Sequence, residues 1–337
     1  MRTAAPVIAL AATVIFGSAL FWALGKDPLA GLRVFFVTPL ETTRGASEVA
    51  LKMVPLLLCA LGLALCYRSN VWNIGAEGQF VFGGIVAGGI ALLAAKDSFT
   101  GYFVLVLLAG VAGGMAWAAI TAWLRDRYNA NEILVSLMLS YVAGLLLLYL
   151  VNGPWRDPKG FNFPYSKTFE AVAMVPNLIP GTRLTWGLVI ALLALVAVWV
   201  FVAKSKAGFR LLVSGQAPLA ARFAGFSERE GIWVALLISG ALAGLAGALE
   251  VAGPVGQLTP QFSSGYGFAA IIVAWLGRLH PGGCVFGAFV MALIYIGGEL
   301  SQTRLGLPAA ITGVFQGMLL LALLTADTFI NFRVRRA

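Results

Sequence analysis

The sequence predicts an all-α polytopic membrane protein with about ten transmembrane helices. Of its 337 residues, 60% are apolar and 11% are charged, whereas a soluble domain usually has about half apolar and a quarter charged residues. The mean hydropathy of +0.91 agrees with a membrane protein. This composition excludes a disordered chain, a disulfide-stapled secreted domain and a soluble enzyme. The apolar runs are continuous, which is not typical of a membrane β-barrel.

Apolar runs separated by polar or glycine-rich breaks predict the spans of one transmembrane domain that covers residues 1–337. The first run, of about 21 residues, is longer than the apolar region of a signal peptide, so we expect an uncleaved helix. The third and eighth runs are short or rich in glycine and are expected to be broken helices. The predicted spans are 4–24, 50–67, 78–95, 102–124, 132–151, 185–203, 231–249, 265–277, 283–298 and 308–326.

The distribution of Lys and Arg predicts that both termini are cytoplasmic. Most basic residues outside the cytoplasmic segments fall in two long outer loops, at about 25–49 and 152–184, and long loops carry less weight in this rule. The net charge of +9 then reflects basic cytoplasmic segments rather than nucleic-acid binding. With ten crossings, the basic residues placed inside are Arg2, Arg68, Arg125, Arg127, Lys204, Lys206, Arg210, Arg222, Arg229, Arg278, Arg333, Arg335 and Arg336.

Spans 2–5 and 7–10 predict two inverted repeats. Their first helices are five spans apart, so the two units cross the membrane in opposite senses, as in many transporters. The short spans 3 and 8 fall at matching positions, beside residues 73–79 (NIGAEGQ) and 263–268 (SSGYGF). Both breaks mix glycine with polar groups, which an unbroken lipid-facing helix would not do. The alternative is two unrelated glycine-rich turns.

Close helix packing is predicted by pairs of glycines four residues apart, because such pairs let two helix backbones approach each other. The pairs are Gly84 and Gly88, Gly110 and Gly114, and Gly240 and Gly244.

Polar residues at the two breaks are the candidate pathway residues, and they are Asn73, Glu77, Gln79, Tyr266 and Phe268. A carboxylate near membrane depth marks a functional site by default. Two roles fit Glu77: a contact to substrate, or a cap on a half-helix whose free N–H groups need an acceptor. At the inner end of span 5, Asn131 is expected to be a helix cap and Glu132 suits the helix dipole. Glu250 lies at an outer helix end, where we expect it to be solvated.

The cytoplasmic segment 204–230 predicts a short exposed helix. Pro218 suits the first helical position, and a run of small residues leads to Gly225. Two roles fit such a helix: docking to a partner protein, or lying on the lipid headgroups.

No catalytic residue, metal site or cofactor site is predicted. The only Gly-Lys pair is Gly25-Lys26, and it lacks the earlier glycine of a P-loop. Gly-x-Ser-x-Gly and His-Glu-x-x-His motifs do not occur, the chain has one histidine, and its three cysteines have no CxxC spacing.

Several segments resemble a known family. Residues 73–79 (NIGAEGQ) and 131–141 (NEILVSLMLSY) resemble the membrane permeases of bacterial ABC importers for nucleosides and simple sugars. Residues 215–225 are similar to the cytoplasmic coupling segment of that family, and residues 265–281 to its late membrane motif. The matches extend from about residue 50 to 325. Wider relatives carry ribose or branched-chain amino acids, and the form of residues 73–79 is similar to the nucleoside branch.

The resemblance implies a permease subunit in the bacterial plasma (inner) membrane that moves nucleosides or related simple sugars by alternating access. It implies two cytoplasmic ATPases, a second permease that is often a different chain, and an extracytoplasmic binding protein that docks on loop 152–184. One departure is Gln216-Ala217-Pro218, where the family more often has Asn before the proline. The residues implied in ATPase coupling are Gly215, Gln216, Ala217, Pro218, Ala220, Ala221, Arg222 and Gly225.

The same residues leave two other functions open. A secondary transporter driven by protons or sodium would use Glu77 or Glu132 as its coupling carboxylate, but it leaves the cytoplasmic helix unexplained. A membrane-embedded enzyme acting on lipid would need a cluster of catalytic groups near one interface, which the sequence does not contain.

Overall fold

The protein, in a computed structural model that describes residues 4–331, is built from helices. Arg2, Arg333, Arg335 and Arg336, which contribute to the predicted orientation, lie outside the described residues. The helices are α1 (Ala4–Ala23), α2 (Pro28–Leu32), α3 (Thr43–Arg68), α4 (Ala76–Leu92), α5 (Tyr102–Tyr128), α6 (Glu132–Asn152), α7 (Gly187–Lys204), α8 (Lys206–Gln216), α9 (Pro218–Phe223), α10 (Glu228–Glu250), α11 (Tyr266–Leu276), α12 (Pro281–Leu305) and α13 (Ala310–Asn331).

Each predicted span contains a helix, which confirms the all-α polytopic fold. Within the described range, eight helices are long and apolar enough to cross a membrane. The third and eighth spans are short, as expected, because α4 has 17 residues and α11 has 11. At 1.5 Å per residue, α11 extends only about 17 Å, roughly half of the hydrocarbon thickness. Non-helical chain at 69–75 and 256–265 precedes these two helices.

The prediction of an outer loop at 25–49 is wrong. This segment contains α2, a π-helical turn (Arg33–Val37) and a 3-10 turn (Thr38–Leu40), and α3 already begins at Thr43. Phe35 in the π-helical turn is fully buried, and its ring stacks on Phe315 with centroids 4.2 Å apart. The apolar run in this segment is too short to be predicted as a membrane span, but it is long enough to be buried against α12 and α13.

The packing of the central helices agrees with the two predicted inverted repeats. Helices α3 and α10 pack against each other, α3 also packs against α11 and α12, and α10 packs in the same way against α4 and α5. If α3–α6 and α10–α13 are equivalent units, α3 corresponds to α10, α4 to α11 and α5 to α12. The contacts of α3 with α11 and α12 are then the counterparts of the contacts of α10 with α4 and α5. A two-fold axis in the membrane plane produces this exchange. It also sets α4 and α11 in opposite directions, with their N-termini together.

Backbone contact between α5 and α10 depends on glycine. A Cβ atom at Gly244 would lie 2.8 Å from the Cα of Gly114, and a Cβ atom at Gly240 would lie 2.5 Å from the Cβ of Ala118. Neither distance leaves space for a side chain. Two of the three predicted glycine pairs, those on α5 and α10, therefore form the contact between the two repeats, whereas Gly84 and Gly88 lie against Phe262 and Leu258.

We expect Gly114→Leu to prevent stable folding. Overpacking a protein interior typically costs about 1–3 kcal/mol, and here the obstacle is backbone that cannot rotate away. Gly144→Leu on α6 is the matched control, because a Cβ atom there meets nothing within 4 Å. The measurement is the fraction of monodisperse protein that survives heating in detergent. Equal survival of the two variants would contradict the packing argument.

Candidate functional site

The break before α4 is held by a buried amide network. The Nδ2 of Asn73 donates to Oε1 of Gln79 at 3.1 Å and to the hydroxyl of Ser239 at 3.0 Å. The Nε2 of Gln79 and the backbone N–H of Gly75 both donate to Oδ1 of Asn73, at 3.3 and 2.9 Å. Asn73 and Gln79 are fully buried. In this conformation, the two amides join the break to α10 and to each other.

Glu77 joins the two short helices. Its Oε2 accepts a hydrogen bond from the backbone N–H of Gly267 at 2.7 Å, and its Oε1 accepts one from the hydroxyl of Ser263. Gly267 lies in the first turn of α11, while Glu77 lies in the first turn of α4. The positive dipole ends of both helices therefore meet at one carboxylate. This geometry supports the capping role, and a substrate contact stays a prediction.

Tyr266 and Phe268 differ in their surroundings. Tyr266 is fully buried as the first residue of α11, and its ring lies edge-on to Phe80 with centroids 5.8 Å apart. Its hydroxyl accepts a hydrogen bond from Nζ of Lys52 at 2.5 Å. Phe268 is partly exposed.

The predicted pathway residues other than Phe268 lie inside the bundle, where they contact α3, α10 and each other. Their positions along the bundle can be read from the residues of α3 that they contact. Lys52 contacts Tyr266 near one end, and the Tyr67 hydroxyl donates to the carbonyl of Asn73 at 3.0 Å near the other end. The intervening length of α3 is roughly 22 Å at 1.5 Å per residue. We give the name polar column to the buried and half-buried polar residues along this length. It comprises Lys52, Asn73, Glu77, Gln79, Ser239, Glu250, Ser263 and Tyr266.

Lys52 and Glu250 are two members of the polar column that the sequence analysis did not identify. The expectation that Glu250 is solvated is wrong, because this residue is only 7% exposed. The outer loop covers the end of its helix: the backbone N–H of Val175 donates to the carbonyl of Ala252 at 2.8 Å. A signal for Lys52 was available, since it is the sole charged residue in the predicted span 50–67 and intramembrane charges are rare.

At the opposite end of the bundle, Asn131 caps α6 as predicted. Its Oδ1 accepts from the backbone N–H groups of Ile133 and Leu134, at 2.9 and 3.3 Å. Glu132 is buried and pairs with Arg125 at 2.6 Å. These contacts account for both residues without a substrate.

The predicted cytoplasmic helix is present as α9, which begins at Pro218. Helix α8 precedes it, and the two helices border a cavity of about 90 Å³ that Arg125 and Glu132 also line. Gly215 on α8 lies against the end of α3, where an added Cβ atom would be 2.8 Å from the Cα of Ser69. The segment is therefore in direct contact with the chain that leads into the break at 69–75.

The proposed coupling residues divide by exposure. Ala221 points inward and is 3% exposed, and Gly215 is half-buried. The others are exposed: Gln216, Ala217, Pro218, Ala220, Arg222 and Gly225.

Two large apolar side chains of α9 are also exposed, and neither was predicted from the sequence as a coupling residue. Leu219 is 72% exposed and Phe223 is 94% exposed. They are four residues apart, so they share one face of the helix. Amphipathic spacing around Pro218 could have identified them.

The chain is similar to known transport proteins over nearly its full length. The family model described as "Branched-chain amino acid transport system / permease component" matches residues 45–324. The chain is 34% identical to the glucose ABC transporter permease protein TsgB13 of Haloferax volcanii, over 98% of this chain and 89% of that protein. It is 27% identical to the guanosine ABC transporter permease protein NupP of Bacillus subtilis, over 94% of this chain and 91% of that protein. A second protein of that organism, the guanosine ABC transporter permease protein NupQ, is 27% identical over 73% of this chain and 80% of that protein.

The chain belongs to this family of transport-system permease components. The resemblance inferred from residues 73–79, 131–141, 215–225 and 265–281 is confirmed. The chain is the membrane-embedded transport subunit of an ABC system, and it is not an enzyme, because ATP hydrolysis in this class belongs to a separate subunit. As a multi-pass permease of this class, it resides in the plasma membrane.

Proposed function

We propose that the chain forms the transmembrane pathway of an importer for nucleosides or related simple sugars and moves its substrate by alternating access. The observation that carries this proposal is the contact between the α8–α9 segment and the end of α3. One side of that segment presents Leu219 and Phe223 to a partner. Its other side touches the chain at Ser69, which leads to Asn73 and the polar column. Movement of a partner would thus reach the pathway through packed backbone.

The proposed orientation has both termini in the cytoplasm. Arg125 and Arg222 border the same cavity at one end of the bundle. Tyr67 and Trp275 stack near that end, and Arg278 a few residues later pairs with Asp327 near the end of α13 at 2.5 Å. A concentration of arginine at one end favours the cytoplasmic side.

The proposed partners are cytoplasmic ATPase subunits on α9, a second permease, an extracytoplasmic binding protein and the surrounding lipid. Two guanosine permease proteins of one organism resemble this chain, which favours a pair of different permeases. The outer loop supports docking of the binding protein, because Phe161 at its tip is almost fully exposed. An isolated antiparallel bridge between Arg156 and Ser166 holds the two sides of this tip together.

The substrate class rests on the relatives and on the polar column. The relatives are named for guanosine and glucose, and both compounds carry several hydroxyl groups. Amide, carboxylate and ammonium groups in an apolar bundle can exchange hydrogen bonds with such hydroxyls.

Uptake of radiolabelled guanosine and glucose tests the proposed function. In cells from which the gene for this chain has been deleted, we expect uptake of guanosine, of glucose or of both to fall at least 10-fold. Re-expression of the chain should restore that uptake. Uptake should survive collapse of the proton and sodium gradients while ATP is maintained, since the energy comes from the ATPase partner. Uptake that follows an ion gradient and ignores ATP would instead favour the secondary transporter, with Glu77 or Glu132 as the coupling carboxylate.

A further inference from the structure

Lys52 of α3, Glu250 of α10 and Tyr266 of α11 come together inside the bundle, at the end of the polar column beneath the outer loop. We propose that these three residues form a subsite for the hydroxyl groups of a neutral sugar ring, either a free sugar or the ribose of a nucleoside. The proposal rests on the proposed function and adds the residues that recognise the substrate during its passage.

Lys52 has unused hydrogen-bonding capacity. An ammonium group carries three N–H donors, and among the described residues the hydroxyl of Tyr266 is its one hydrogen-bond acceptor, at 2.5 Å. No carboxylate of the described chain lies within ion-pair distance of Lys52, although the ammonium also lies over the Tyr266 ring, 5.2 Å from its centroid. Two donors are therefore available to a ligand.

Glu250 has unused capacity to accept hydrogen bonds. It is more than nine-tenths buried and lies near Lys52, and the hydroxyl of Tyr266 is its hydrogen-bonding neighbour among the described residues. A carboxylate has about four acceptor sites, so most of its accepting capacity is unused. Every fully enclosed side-chain polar atom in the described part of the chain does have a partner. At least one Glu250 oxygen therefore retains access to the space beside it, and a carboxylate in this state inside a membrane protein marks a functional site.

The helix backbone changes at the same position. A π-helical turn, Val251–Val255, follows Glu250 directly, and it contains Pro254. Proline has no N–H group, so the carbonyl of Glu250 lacks its α-helical partner. Wide π-helical turns within α-helices are frequent at functional sites.

A neutral polyol fits this cluster best. The carboxylate accepts hydroxyl protons, while the ammonium donates to hydroxyl oxygens. The rings of Tyr266 and Tyr295, whose centroids lie 5.5 Å apart, form an aromatic wall beside the two charged groups. A phosphate would be repelled by Glu250, and an organic cation would be repelled by Lys52. The two opposite charges therefore favour a neutral ligand that carries hydroxyl groups.

Lys52→Met and Glu250→Gln test the subsite in cells that contain the complete importer. The readout is the ratio of maximal uptake rates for guanosine and 2′-deoxyguanosine, and for glucose and 2-deoxyglucose. We expect each variant to lower the rate for the fully hydroxylated substrate at least 10-fold and to reduce the ratio at least 5-fold. Every other component of the importer is unchanged, so a changed ratio reports on this chain.

Lys96→Met and Asp97→Asn are the controls, because both residues are exposed in the loop between α4 and α5, and both variants should keep the wild-type ratio. A merely structural role for Lys52 and Glu250 would lower all rates together, along with the amount of protein in the membrane. Unchanged ratios in a chain that transports these compounds would overturn the subsite alone. Absence of any chain-dependent uptake of nucleosides and sugars would overturn the proposed function, and the subsite with it.

Discussion

A Phe223→Asp variant is expected to reach the membrane in normal amounts and to lose nearly all transport. Phe223 is 94% exposed, so its replacement leaves the folded chain intact. At an interface, however, an exposed aromatic side chain of this kind becomes the buried anchor. Loss of such an anchor typically costs about 2–4 kcal/mol, which corresponds to about a 30- to 1000-fold loss of affinity. A carboxylate in an apolar groove would add to that loss.

The measurement combines uptake with recovery of the ATPase partner. Phe223→Asp should release the ATPase during purification from solubilised membranes, and Leu219→Asp should have a similar but smaller effect. Phe99→Asp is the control, because Phe99 is 62% exposed in the loop between α4 and α5 and lies away from α9. Wild-type uptake by Phe223→Asp would refute the assignment of α9 as the docking helix.

Substitution of Ala221 is a poorer test of the same docking, although this residue belongs to the segment that resembles the family's coupling motif. Ala221 is buried and lines the cavity beside Arg125 and Glu132. A charged side chain there would disturb that ion pair and the end of the bundle. Lost transport in such a variant would not distinguish failed docking from failed packing.

The spans could be predicted from the sequence because each depends on a local property, the length of an apolar run. The same holds for the cap at Asn131 and for the start of α9 at Pro218. The segment around Phe35 was missed for the opposite reason. Its burial depends on α12 and α13, which lie more than 200 residues further along the chain, and a run of its length carries no signal of that contact.

The polar column was only partly predictable. The break sequences identified Asn73, Glu77 and Gln79, but nothing local shows that Glu77 reaches Gly267 in the other repeat. Glu250 was assigned to solvent because it lies near the end of an apolar run. Its burial depends on the outer loop, whose irregular chain has no period from which its position could be inferred.

Glu77→Ala is expected to reduce both the stability of the protein and its transport. The variant removes the acceptor for the Gly267 N–H and the Ser263 hydroxyl. Inside a bilayer, a backbone donor without a partner costs several kcal/mol, and the adjoining N-termini of α4 and α11 would lose their counter-charge. We expect at least a 10-fold loss of uptake, together with a lower midpoint of thermal unfolding in detergent.

Glu77→Gln separates the three roles considered for this residue. Its amide oxygen still accepts from Gly267, and its NH₂ group can donate to the Ser263 hydroxyl, which accepts as readily as it donates. A capping role therefore predicts that Gln recovers most of the stability and of the transport that Ala loses. A coupling carboxylate in an ion-driven transporter predicts that Gln is as inactive as Ala, because only a titratable or charged group serves that purpose. A substrate contact predicts normal stability in both variants with a raised KM. The hydrogen bond from Gly267 to Glu77, which joins the two repeats, favours the first of these outcomes.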